Sequence, residues 1–196
     1  MRKIISKYEE GKKKRRTQFI VGGILIFIMV FSLLGYAFQD QNINGGSSSN
    51  STLDYNGISF VNQNGLWAVN YGNQRIAFTY HPSQIPSADL TNLTKNIDNF
   101  SGKPLYINSY DYNAESEIKM DLSPFASEIK DACLEGADCN QNSQLPVKNC
   151  GDNFIIIQNG SGNVRQEQNC IFISGQGEDL IKLTDNVLFK IFGIRQ

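Results

Sequence analysis

The sequence predicts an α+β fold: an N-terminal transmembrane helix, then a small domain in which a three-stranded antiparallel meander and a mixed sheet are covered by two or three helices. Three observations predict it. Residues 19–38, FIVGGILIFIMVFSLLGYAF, form an uncharged apolar run. Residues 57–80 alternate apolar and polar side chains around two turn dipeptides. Beyond them, short β-branched runs alternate with segments of helical period.

A helix needs about 20 apolar residues to cross a hydrocarbon core roughly 30 Å thick, and 19–38 supplies them. Lys12, Lys13, Lys14, Arg15 and Arg16 precede the run and Asp40 follows it. By the positive-inside rule the basic tail, 1–18, stays in the cytoplasm and the remainder is exported. These five residues fix topology, and anionic lipid headgroups are the contact open to them on the inner leaflet. The span has no ionisable residue and no Gly-x-x-x-Gly seam, so it reads as an anchor rather than a transport path. Cleavage after Ala37 is the rival, since Gly35-Tyr36-Ala37 has the small-x-small form of a signal-peptidase site. The apolar run exceeds the 7–15 residues usual in a signal peptide, and retention is the expectation.

Charge divides with the anchor. The tail holds eight Lys/Arg and two Asp/Glu, leaving ten and seventeen in the rest of the chain, so a near-neutral total of −1 hides a basic tail and an acidic exported part. An acidic exported domain argues against nucleic acid as a partner.

Residues 39–53 are rich in Gly, Ser and Asn without apolar periodicity, the composition of a flexible tether spanning about 20 Å. The globular domain is expected over 54–196. Asn64-Gly65 and Gly72-Asn73 are two-residue hairpin signals. With both loops in place, Ile58 faces Tyr71, Phe60 faces Val69, Val69 faces Ile76 and Trp67 faces Phe78. All these side chains then share one face, which a one-residue slip would destroy. Pro82 ends the third strand.

One or two helical turns are expected around 88–97, and Pro104–Ile107 reads as a short buried strand. Ser123-Pro124 has the form of a helix start, predicting a helix to about Leu134. Residues 153–158 and 170–174, NFIIIQ and CIFIS, read as strands covered on both faces, and the turn-rich NGSGN between them predicts a hairpin. Leu180, Leu183, Val187, Leu188 and Ile191 recur at helical spacing, and Gly193 supplies the stop. Glu178 and Asp179 are read as complementing that helix's dipole and Asp185 as lying on its polar side.

All four cysteines, Cys133, Cys139, Cys150 and Cys170, fall on the exported side, an even count suited to an oxidising compartment. Three pairings exist; Cys133 with Cys139 and Cys150 with Cys170 is preferred, because the first closes a short loop and the second ties two strands together. Their spacings fit neither a Cys-x-x-Cys redox pair nor a structural zinc site. Asn50, Asn92, Asn99 and Asn159 begin Asn-x-Ser/Thr sequences, acceptors for N-glycosylation where the machinery exists. The single histidine, His81, lacks a Gly-x-Ser-x-Gly elbow and reads as a turn residue after an edge strand. Gly175-Gln176-Gly177 lacks the Lys-Ser/Thr ending of a phosphate loop.

No catalytic constellation, metal set or cofactor motif emerges. The expectation is a non-enzymatic, single-pass module in the cell membrane of a prokaryotic envelope, its domain outside and binding an extracellular protein or glycan. An exported hydrolase-like enzyme whose site is scattered along the chain is the alternative, and a subunit of a membrane or surface assembly a third.

Overall fold

The computed structural model describes residues 51–137 and 144–195, within a compact unit spanning 49–196. The predicted tail, its five basic residues and the span 19–38 lie outside these residues. Among the described residues no helix is long and apolar enough to cross a membrane.

Strands β1 (Thr52–Tyr55), β2 (Ile58–Gln63), β3 (Leu66–Tyr71) and β4 (Gln74–Phe78) form an antiparallel sheet in that order. Both predicted hairpins are present: Gln63 pairs with Leu66 and Tyr71 with Gln74, and Trp67 faces Phe78 and Val69 faces Ile76 as the alternation requires. The meander has four strands rather than three. β1 begins at Thr52, inside the predicted tether, and turns into β2 through Asn56-Gly57, whose positive φ angles of 52° and 79° suit a residue pair that accepts left-handed backbone.

The second sheet is built from β5 (Pro104–Ser109), β6 (Glu128–Asp131), β9 (Phe154–Asn159), β10 (Asn163–Glu167) and β11 (Cys170–Gly175), in the order β10-β11-β9-β5-β6. Its strands run parallel except β10. The hairpin predicted between 153–158 and 170–174 is therefore corrected. NGSGN does turn the chain, but into β10, which passes to the sheet edge, and a second turn at Gln168-Asn169 returns the chain between β10 and β9. Burial of β11 and of Phe154–Ile157 in β9 on both faces favours parallel pairing in the sheet interior, and the polar β10 takes the exposed edge. Two-residue strands β7 (Cys133–Leu134) and β8 (Val147–Lys148) pair separately.

Three helices complete the unit: α1 (Ile97–Phe100), α2 (Tyr112–Leu122) and α3 (Gly177–Ile191). α1 lies later than the turn expected around 88–97. The helix predicted from Ser123 to Leu134 is corrected. Asp111 caps α2 by accepting the Ala114 N–H at 3.0 Å, and Ser123-Pro124 ends that helix instead of starting one. Proline just past a helix C-terminus blocks continuation as readily as proline at a first turn permits initiation. The chain then enters β6.

The main core gathers Phe60, Trp67, Val69, Ile76 and Phe78 of the meander, one face of β5, β9 and β11, and the apolar stripes of α2 and α3. Phe78 packs on Phe189 with ring centroids 4.7 Å apart. The opposite face of the mixed sheet carries Tyr106, Phe154, Ile156 and Phe172. Cations cover part of this face, Arg165 lying 3.7 Å over Phe172 and Lys148 4.3 Å over Tyr106. Long basic side chains shield apolar rings while keeping their charged ends wet.

Candidate functional site

β4 is the outer strand of its sheet, and an outer strand leaves alternate N–H groups without a partner strand. Here the partners are carboxyl groups. Ala77 N–H donates to Asp121 Oδ1 at 2.9 Å, Thr79 N–H to Glu117 Oε1 at 2.8 Å and Tyr80 N–H to Asp185 Oδ2 at 2.8 Å. Glu117 and Asp121 are one turn apart on α2, so their spacing along the helix follows two residues of extended strand. Asp185 comes from α3. The expectation that it lies on a solvated face is corrected, since Asp121 and Asp185 are 0% exposed and Glu117 is 5% exposed.

The other oxygens, Glu117 Oε2, Asp121 Oδ2 and Asp185 Oδ1, meet no donor from any group outside the three acids. Glu117 and Asp185 hydrogen-bond through their carboxyl groups, which requires a proton between them. Burial raises the Asp185 carboxyl from 3.8 to about 10, helped by the Glu117 charge; burial likewise raises Asp121 to about 8 and pushes Glu117 upward. A trough of about 340 Å³, lined by Thr79, Ser116, Met120 and Ile181, has Glu117 at its wall. One Glu117 oxygen is committed to Thr79 and the carboxyl also bonds to Asp185, so the seam closes off the strand edge. The three acids are not grouped in a way that would hold a metal ion, and no such group of His, Cys, Asp and Glu occurs among the described residues.

Lys95 is a second buried charge, 5% exposed, with Nζ donating to Asn153 Oδ1 at 2.7 Å and Asn169 Oδ1 at 2.9 Å. Those amides are aimed by their own donations to the Asn99 and Gly151 carbonyls, each 3.0 Å. Burial lowers the Lys95 pKa, with Lys103 adding repulsion. The arrangement joins the loop before α1 to the starts of β9 and β11.

His81 follows β4 at the entry to a turn, yet it is buried between Phe60 and Trp67, with ring centroids 4.9 and 4.8 Å away. Its Nδ1 caps the short 3₁₀ turn Pro82–Gln84. Burial lowers its pKa.

The disulfide Cys150–Cys170 is formed, fastening the segment after β8 to the start of β11. Cys133 is also disulfide-bonded; Cys139, the predicted partner, lies outside the described residues. Asn50 lies outside them too. Asn92 and Asn159 are exposed, whereas Asn99 is half-buried and its Oδ1 accepts the Asn96 N–H at 2.8 Å.

In open sheets of parallel strands, ligands bind outside the carboxyl ends where strand order reverses. From β5 the chain goes to β6 on one side, while β9 lies on the other, so that point falls between β5 and β9. The chain leaving β5 there carries Tyr110, 49% exposed, and Tyr112, 81% exposed. Tyr110 OH donates to the Gly175 carbonyl at 2.5 Å, and Gln176 Nε2 donates to Asn159 Oδ1 at 2.6 Å, so side chains tie the ends of β5, β9 and β11 into one edge. Continuing past Asn159, the turn into β10 borders a groove of about 540 Å³ lined by Asp89, Asn92, Asn163, Asp179, Lys182 and Asn186 among others. Tyr110 and Tyr112 were not singled out by the sequence, since nothing local distinguishes an exposed tyrosine from a core one.

Comparisons with protein-family models, curated proteins and solved structures found no match to this chain.

Proposed function

We propose that this chain is a single-pass, membrane-anchored binding module, with its N-terminus in the cytoplasm and its domain outside, where it takes hold of an extracellular protein or glycan. The observation that carries the reading is the carboxyl edge of the mixed sheet, with Tyr110 and Tyr112 exposed at the reversal of strand order. Tyrosine offers an apolar face and a polar tip at low entropic cost, the combination favoured at recognition surfaces. The neighbouring groove supplies amide and carboxylate groups for hydrogen bonds. Disulfide bonds at Cys150–Cys170 and at Cys133 suit an oxidising, extracytoplasmic setting. One oxygen of each buried acid is committed to the N–H of Ala77, Thr79 or Tyr80, a structural use that supports a non-enzymatic role.

The test is sedimentation of the purified 49–196 unit with isolated cell-envelope material, comparing the native sequence with a Tyr110→Ser/Tyr112→Ser double variant. Loss of both rings is expected to weaken association by about tenfold or more, as removal of central aromatic anchors does. Equal sedimentation of the two proteins would remove this edge as the binding face.

A further inference from the structure

The seam between β4 and the helices is built from acids alone. Glu117, Asp121 and Asp185 are at least 95% buried; they accept the N–H groups of Thr79, Ala77 and Tyr80, in β4 or just past its end, and each keeps an oxygen that meets no donor from outside the three acids. Charged groups on the surrounding elements are engaged elsewhere: Lys119 of α2 pairs with Glu115 and Asp131, Lys182 of α3 pairs with Glu178, and Arg75 of β4 is exposed. The charges that act on the three carboxyls are their own. A buried carboxylate with an unpaired oxygen and no cation is costly; protonation removes the charge.

We propose that this seam is a proton lock: the folded domain carries protons on Asp121 and on the Glu117–Asp185 pair at neutral pH, and alkali, by removing them, loosens α2 and α3 from the edge of β4. The direction follows from linkage. Asp121 at about 8 and Asp185 at about 10 lie above the ordinary 3.8, so the folded state binds protons that the unfolded state has already lost. The stabilisation is complete below the unfolded pKa and disappears as pH rises through the folded values. This is the reverse of a domain held by salt-bridged carboxylates.

The experiment is thermal unfolding of the 49–196 unit between pH 7 and pH 9.5. In that window ordinary carboxylates are ionised in both states and His81, lowered by burial, is neutral in both. Lys95, also lowered by burial, acts in the opposite direction, because losing its proton in the folded state makes stability rise with pH, so a falling Tm is not its doing. The expected result is a Tm falling by about 10 °C or more across the window, with the fall reduced in Asp121→Asn and Asp185→Asn, whose amides keep the shape without the titration. Infrared spectroscopy of the native protein at pH 7 provides a readout that needs no variant: the carbonyl stretch of protonated carboxylic acid is expected, and it should weaken by pH 9.5 as Asp121 loses its proton while the Asp185 share persists. A Tm that is flat or rising over this range, or absence of the protonated band at pH 7, would overturn the proposal.

Discussion

Asp121 illustrates how a single side chain can stand in for a strand. It accepts the Ala77 N–H that a fifth strand would otherwise take. Asp121→Ala leaves that donor buried and unpaired, so a loss of about 1–3 kcal/mol is expected in urea unfolding, and a smaller one for Asp121→Asn. His81→Ala removes a ring enclosed by Phe60 and Trp67; a destabilisation of about 2 kcal/mol is expected while association with envelope material stays unchanged. Strong loss of association in a folded His81→Ala protein would return the histidine to the functional surface. Gly160 is needed for space rather than for torsion, since a Cβ there would lie 2.7 Å from the Ser174 Cβ. Gly160→Ala is expected to cost about 1–3 kcal/mol by forcing β9 and β11 apart at their ends.

At the level of elements, the disulfide between Cys150 and Cys170 fastens β11 to a segment with little secondary structure. Closing a loop of this size contributes about 3 kcal/mol through the unfolded chain. A Cys150→Ala/Cys170→Ala protein is therefore expected to melt roughly 6–12 °C lower. An unchanged Tm would show that the sheet holds without the bond. α2 shows why an element can escape sequence reading. Its buried positions Ala114, Glu117, Ile118, Asp121 and Leu122 follow helical spacing, but two are acids, and an apolar count sees a broken stripe. β10 escapes for a related reason: an edge strand with Val164 as its one aliphatic residue reads as loop.

For the whole molecule, the proposed anchor and the domain are tested together. The proposed anchor rests on the apolar run 19–38 and the basic residues before it, and the proposed oxidising side on the disulfide at Cys150–Cys170. Membrane-impermeant thiol labelling of intact cells after reduction, combined with carbonate extraction, is expected to label the protein while it stays in the membrane pellet. Labelling only after lysis would place the domain in the cytoplasm and remove the setting in which an extracellular partner is sought.

Local chemistry determined much of this protein by itself. Asn64-Gly65 and Gly72-Asn73 fix two hairpins because their backbone preferences match the strand twist, and the apolar period of α3 with Gly193 past its end fixes the last helix. The pairing of Cys150 with Cys170, expected because it ties two strands together, is present. Only the tertiary structure decided the rest. Whether NFIIIQ and CIFIS pair antiparallel or parallel depends on which strand can bear the sheet edge, a question of burial across the whole sheet. Whether Asp185 faces water or β4 depends on what packs beside α3, and helical period alone does not distinguish a wet acid from one holding a proton in the core. Periodicity records which side chains share a face; the energy of a buried acid or an exposed tyrosine is set by what the fold brings opposite it.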